Sequence, residues 1–184
     1  LYEFCQKHNE TQYHALARQI VEQAIKLPTS YIREHAWLLL LAKSHFHTGD
    51  FRKALEIAVK AQQSRNKRFP QQIELMPEIE YFVGLSQYVA GRAVGIEQLS
   101  YSFNNLSMAA KNSTGHLKLK AIYFCGVIEF DLANESSDQH KKETFNRIFD
   151  SYERAVAEID FAIKNGQYSK QNQIRLNRLK SRFL

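Results

Sequence analysis

The sequence predicts an all-α chain of antiparallel helix pairs stacked as repeats, an α-solenoid. Three observations carry that expectation. Only three prolines and seven glycines interrupt 184 residues rich in Ala, Leu, Glu, Lys and Gln, a composition that favours helix. Apolar residues recur at three- and four-residue steps rather than alternately, so no strand is expected. A small residue also returns at a fixed interval: Ala42, Gly84 and Gly126 lie 42 residues apart. Leu38 and Leu41, Val83 and Ile122 stand just upstream of these positions, and Phe46, Tyr88 and Phe130 follow each by four. Gly49 and Gly91 follow by seven, with Ala133 in the third place. A fixed period marks units too small to bury their own apolar faces, which must stack on one another.

The elements follow in order. Leu16, Ala17, Ile20, Ala24 and Leu27 form one apolar stripe, ended by Pro28, after which Thr29 or Ser30 can cap the next helix. That helix is predicted over 31–47, turning at Thr48, Gly49 and Asp50 into a partner over 51–64 that places Phe51, Ala54, Leu55, Ala58 and Ala61 on one face. Residues 65–70 read as a basic connection. A helix starts near Met76, with Pro77 suited to a first turn, and stops at Gly91. Its partner points Ile96, Leu99, Phe103, Leu106 and Ala110 inward. After a connection at 111–115 comes a helix over 117–133 and a polar loop over 134–138. The next helix has the clearest stripe: Phe145, Ile148, Phe149, Tyr152, Ala155, Val156, Ile159 and Ile163. Asn165 and Gly166 stop it, and a closing helix from Lys170 aligns Leu176, Leu179 and Phe183. The expected organisation is one domain over 1–184: a partial repeat at 1–27, repeats at 31–64, 73–111 and 116–164, and a closing helix at 170–184. Because the chain enters helix-like sequence at Leu1 without an initiator Met, a fragment of a longer protein is expected.

Composition excludes some classes of function. No run approaches the roughly 18 apolar residues of a membrane span; the longest, 36–42, has seven. Cys5 and Cys125 match no metal or redox spacing, and this sparse use suits a reducing, cytoplasmic setting. Cys125, among Tyr123, Phe124, Val127 and Ile128, reads as a small core hydrophobe. The net charge of +6 resides in the last segment: Lys164, Lys170, Arg175, Arg178, Lys180 and Arg182 meet no acid after Phe161. Such a tail can attract phosphate, an anionic membrane or an acidic partner, or form one solvated face of a terminal helix.

The segment 37–61 resembles the tetratricopeptide repeat. Its Leu38, Leu41-Ala42, Gly49-Asp50-Phe51 turn, and Ala54 with Ala61 stand where the family places a large apolar residue, a Leu-small pair, a Gly-Asp-aromatic turn and alanines seven apart. The second unit keeps Val83-Gly84 and Gly91, but has Ala93 for the turn aromatic and Ile96 for the first alanine. The third keeps Cys125-Gly126 and replaces the turn glycine by Ala133. The interval exceeds the usual 34 residues and is similar to the longer-helix variety of peptide-sensing regulators and motor adaptors. The resemblance implies a right-handed superhelix whose concave wall comes from the first helix of each pair. It also implies protein binding as the scaffold or sensor part of a regulatory or signalling protein, such as a bacterial response regulator or peptide-sensing regulator.

On that wall the resemblance places Leu39, Tyr81 and Tyr123, three before the small residue, with Lys43, Leu85 and Val127 between them and Phe46, Tyr88 and Phe130. The expected function is capture of a protein or peptide segment in a partly apolar groove, for which aromatics suit because they bury much area while losing few rotamers. The same aromatics would equally serve as packing between repeats. A carboxylate clamp of the kind known in chaperone-binding members does not fit: the matching positions hold Ala36, Glu78, Lys120, His47 and Asp131, and two acids would repel the ligand. No enzyme, cofactor or metal signature is present in the pattern. His45 and His47 are two apart and point to different helix faces; residues 91–95 lack the Lys-Ser/Thr ending of a phosphate loop. The alternatives are nucleic-acid binding by the basic patch of Lys170, Arg175, Arg178, Lys180 and Arg182, helped by Arg65, Lys67 and Arg68, and self-association through the terminal helices.

Overall fold

A computed structural model of the chain describes residues 11–27, 34–68, 75–91, 96–134, 138–166, 173–174 and 177. Among these, all regular structure is helical and there is no strand. The described residues form seven helices in succession: α1 (Thr11–Ile25), α2 (Glu34–His47), α3 (Phe51–Arg68), α4 (Met76–Gly91), α5 (Ile96–Asn112), α6 (Gly115–Ala133) and α7 (Asp138–Lys164). No helix among the described residues is long and apolar enough to cross a membrane. By contacts the chain divides into two compact units, residues 1–105 and 106–184.

In the first unit each helix packs against its predecessor: α2 on α1, α3 on α2, α4 on α3, with α4 also touching α2. The α2–α3 hairpin is closed by the expected turn. Gly49 sits at φ +84°, where a Cβ would be strained, and Asp50 caps α3 by accepting the backbone N–H of Lys53 at 3.3 Å. Ala42 on α2 and Ala54, Ala58 and Ala61 on α3 are fully buried. Small side chains along both helices let the two backbones approach closely. α3 runs four residues beyond the predicted end, so 65–68 is helix rather than connection: Arg, Asn and Lys are compatible with a further turn, and no glycine or proline stops it before Pro70.

Two helices bury a row that coincides only in part, at Ala17 and Leu106, with the one their apolar residues suggest. On α1 the inward residues are His14, Ala17 and Val21, while Leu16, Ile20 and Leu27 face solvent. On α5 the fully buried row is Ser102, Leu106 and Ala109, with Leu99, Phe103 and Ala110 half-buried. Ser102 belongs there because its hydroxyl donates to the Gly84 carbonyl oxygen at 2.6 Å.

In the second unit α6 packs on α7 around Leu119, Ala155 and Ile159, with Ile122, Tyr123, Tyr152, Val156 and Ile163 closing the cluster. α7 buries Thr144, Ile148, Ala155, Ile159 and Ala162, whereas Phe145 and Phe149 of the predicted stripe lie exposed. Residues 165–166 end the helix as expected, Gly166 taking φ +66°.

Candidate interaction surface

The three small residues at the 42-residue interval are all buried, and Gly126 shows why it is small. Gly84 lies under α5, its carbonyl taking the Ser102 hydroxyl. Gly126 lies under Tyr152: an added Cβ would overlap the phenol oxygen and stand 2.6 Å from ring carbons Cε1 and Cζ. That phenol donates to the Tyr123 carbonyl oxygen at 2.8 Å, and the Tyr123 and Tyr152 rings stack with centroids 6.1 Å apart. Burial, with smaller contributions from Tyr123, Cys125 and Glu129, holds the Tyr152 phenol well above its ordinary pKa.

The proposed wall residues divide by accessibility. Leu39, Tyr81, Leu85 and Tyr88 are all buried. As they stand they offer a partner almost no area; they fill the interior of the first unit. Phe46 is half-buried, its ring meeting Phe51, Phe82 and His47 edge-on at 5.1, 6.1 and 6.0 Å. Lys43 is 7% exposed, its ammonium bonded to the Glu78 carboxylate and held 5.3 Å from the Phe82 ring centroid. In the second unit Tyr123 and Val127 are half-buried and Phe130 is 48% exposed. The Phe130 ring stacks on Phe145 with centroids 5.2 Å apart. Phe149, one turn beyond Phe145, is 62% exposed and Phe161 65%. Arg147 pairs with Glu129 at 3.0 Å beside this aromatic group. The basic-patch residues Lys170, Arg175, Arg178, Lys180 and Arg182 lie outside the described residues, as does Cys5.

The histidines and Cys125 occupy separate places. His45 Nδ1 lies 3.3 Å from Asp50 Oδ2 at the hairpin turn, while His47, on another face of α2, stacks on His14 of α1. Among the described residues no three of His, Cys, Asp and Glu are grouped to share a metal ion. Cys125 is half-buried, and burial chiefly, with the nearby Glu129 charge, pushes its thiol up to about 12. Such a thiol is a weak nucleophile at neutral pH.

Several tertiary features escaped the sequence reading. Ser44 donates to the His14 carbonyl oxygen at 2.5 Å, tying α2 to α1. Ser64 donates to Glu34 Oε2 at 2.7 Å, across the α2–α3 hairpin. Ser86 stands 42 residues after Ser44 and is equally buried, yet its hydroxyl has no hydrogen-bond partner. Glu80 on α4 is 1% exposed. A serine two places after the small residue in two successive units was the available signal for the first of these. No protein-family model, curated protein or solved structure matches this chain.

Proposed function

We propose that the chain is a helical-repeat module that binds a protein or peptide segment through exposed aromatic side chains. The observation that carries this reading is the Phe130–Phe145 stack with Phe149 beside it, large apolar rings left in solvent on an otherwise well-packed helix pair. Soluble domains seldom keep contiguous apolar surface of that kind without a use for it. The 42-residue recurrence supports the tetratricopeptide-like part of the reading, in which helix pairs continue as a right-handed superhelix within a larger regulatory or signalling protein. The grouping of chemistry-bearing side chains favours binding over catalysis, since the titratable groups described are dispersed or paired for structure.

Selection from a random peptide display library on the intact chain tests this. Enriched peptides should bind the parent and lose at least about tenfold in affinity against Phe145→Ser/Phe149→Ser, a loss of about 1.4 kcal/mol. Failure to enrich any peptide, or enriched peptides indifferent to that double substitution, would reject the reading. Light scattering on the same two proteins separates self-association, which predicts a dimer that the substitutions dissolve.

A further inference from the structure

We propose that the exposed aromatic face of α7 pairs with the same face of a second copy of this chain, the two helices antiparallel about a two-fold axis. Pairing of this kind rests on the preceding reading of Phe130, Phe145 and Phe149 as a protein-binding surface, and names its partner. Lys142, Phe145, Phe149 and Glu153 follow one another at steps of three, four and four residues, which sets them along one side of the helix. All four are exposed, while Ile148, Ala155 and Ile159 are buried on another side. The base stands before the rings and the acid after them, about 16 Å apart by helical rise. This side of α7 therefore has a basic end, an aromatic middle and an acidic end.

That order is self-complementary in one direction only. Laid parallel, two copies of the row would set Lys142 beside Lys142 and Glu153 beside Glu153, like charge against like. Laid antiparallel about the midpoint between Phe145 and Phe149, each Phe145 meets the second copy's Phe149. Each Lys142 then comes within one residue of level with the second copy's Glu153. A two-fold axis makes the contact isologous, so every pairing occurs twice and the interface closes on itself. Phe130 of α6, stacked on Phe145, widens the apolar strip from the neighbouring helix. The rings set the strength: with 48, 37 and 62% of Phe130, Phe145 and Phe149 in solvent, and about 200 Å² for a whole aromatic side chain, each copy offers about 300 Å². That is well below the roughly 800 Å² per partner of a standard stable interface, so the dimer is weak. The exposed charge pairs direct its orientation more than they add affinity. Any other partner would have to present an acid, an apolar centre and a base in matching order, and α7 already presents them.

Light scattering on the intact chain tests the dimer. From about 1 to about 500 μM the mean mass of the parent should rise toward twice that of one chain, as a Kd of roughly 100 μM requires. Phe145→Ser/Phe149→Ser should weaken association at least about tenfold with the helical signal unchanged. Lys142→Glu and Glu153→Lys each turn both charge pairs into repulsions, and either chain alone should associate at least about threefold more weakly than the parent at low salt. An equimolar mixture of these two chains should recover the parent's association, because the mixed dimer again has two pairs of opposite charge. A parent that stays monomeric throughout overturns the dimer, while enriched peptides that still require Phe145 and Phe149 would leave the broader reading standing. A dimer indifferent to the aromatic substitutions overturns it as well, as do charge variants whose mixture associates no better than either alone.

Discussion

The hydroxyl of Tyr152 on α7 reaches over Gly126 on α6 to donate to the carbonyl oxygen of Tyr123 at 2.8 Å. One contact thus accounts for two residues at once: position 126 has no room for a Cβ, and the phenol is pinned. Gly126→Ala should therefore destabilise the chain by about 1–3 kcal/mol, the usual range for overpacking. In a Tyr152→Ala background the same substitution should add no more than about 0.5 kcal/mol, because the obstructing ring is gone. Urea unfolding of the four proteins of this cycle checks the coupling.

Tyr81 and Tyr88, expected on a groove wall, are only 5% exposed. Truncating either to alanine should cost about 3–5 kcal/mol, as for other large aromatic core residues. Phe149→Ala, by contrast, removes a ring that is mostly in solvent and should stay within about 0.5 kcal/mol of the parent. Thermal melts distinguish the two: equal small effects would return the tyrosines to the wall.

Which parts of this fold could be read beforehand has a physical explanation. Helix existence, the α2–α3 turn at Gly49 and the burial of Ala42, Gly84 and Gly126 follow from local periodicity and from sterics that any chain obeys. The facing row does not. α1 carries two candidate rows, Leu16–Ile20–Leu27 and His14–Ala17–Val21, and the less hydrophobic one is inside. α7 keeps Ile148, Ala155 and Ile159 of its stripe inside but buries Thr144 beside them and leaves Phe145 and Phe149 out. In both, small or slim side chains let the helices approach, a preference set by the partner helix and absent from the segment's own pattern. Likewise, Lys43–Glu78 joins residues 35 apart and Ser44–His14 residues 30 apart, separations over which no spacing rule operates. The accessibility of wall residues depends on the same packing, which buries Leu39, Tyr81 and Tyr88 and leaves Phe130, with Phe145 and Phe149, in solvent.

Lys43 and Glu78 make a one-sided pair, the lysine buried and the glutamate about one-third exposed. Lys43→Met keeps the aliphatic stem near Phe82 and removes a buried charge, so stability should change by less than about 1 kcal/mol. Glu78→Gln removes a negative charge from beside a buried ammonium and should cost about 1–3 kcal/mol. Denaturation midpoints at low salt should rank Glu78→Gln below Lys43→Met; the reverse order would show that the ion pair contributes more than the packing beneath it.

Cys125 has a thiol raised to about 12 by burial and by Glu129. At about pH 8 only ~1 in 10,000 such thiols is ionised, and the thiolate is the nucleophile. Iodoacetamide should therefore leave Cys125 unlabelled in the native chain over a time that alkylates it fully in urea. Because the shift is upward, labelling should quicken as pH rises within the range in which the far-UV helical signal stays native. Intact-mass spectra across a pH series follow both.

Ser44 and Ser86 lie 42 residues apart, both buried, and they predict opposite outcomes for the same substitution. The Ser44 hydroxyl bonds the His14 carbonyl at 2.5 Å, so Ser44→Ala removes a cross-helix hydrogen bond in a site closed to water. A loss of about 1 kcal/mol is expected. The Ser86 hydroxyl was stripped of water on folding and gained no partner. Alanine in its place retains the Cβ, creates a gap of a single oxygen and relieves that desolvation, so Ser86→Ala should be neutral or stabilising by up to about 1 kcal/mol. Equal losses at both positions would mean that Ser86 finds an acceptor in solution, the nearest parallel being the backbone carbonyl one helix back that Ser44 uses. Because alanine is also the better helix former at either site by a few tenths of a kcal/mol, the difference between the two variants, rather than either value alone, measures the hydrogen bond.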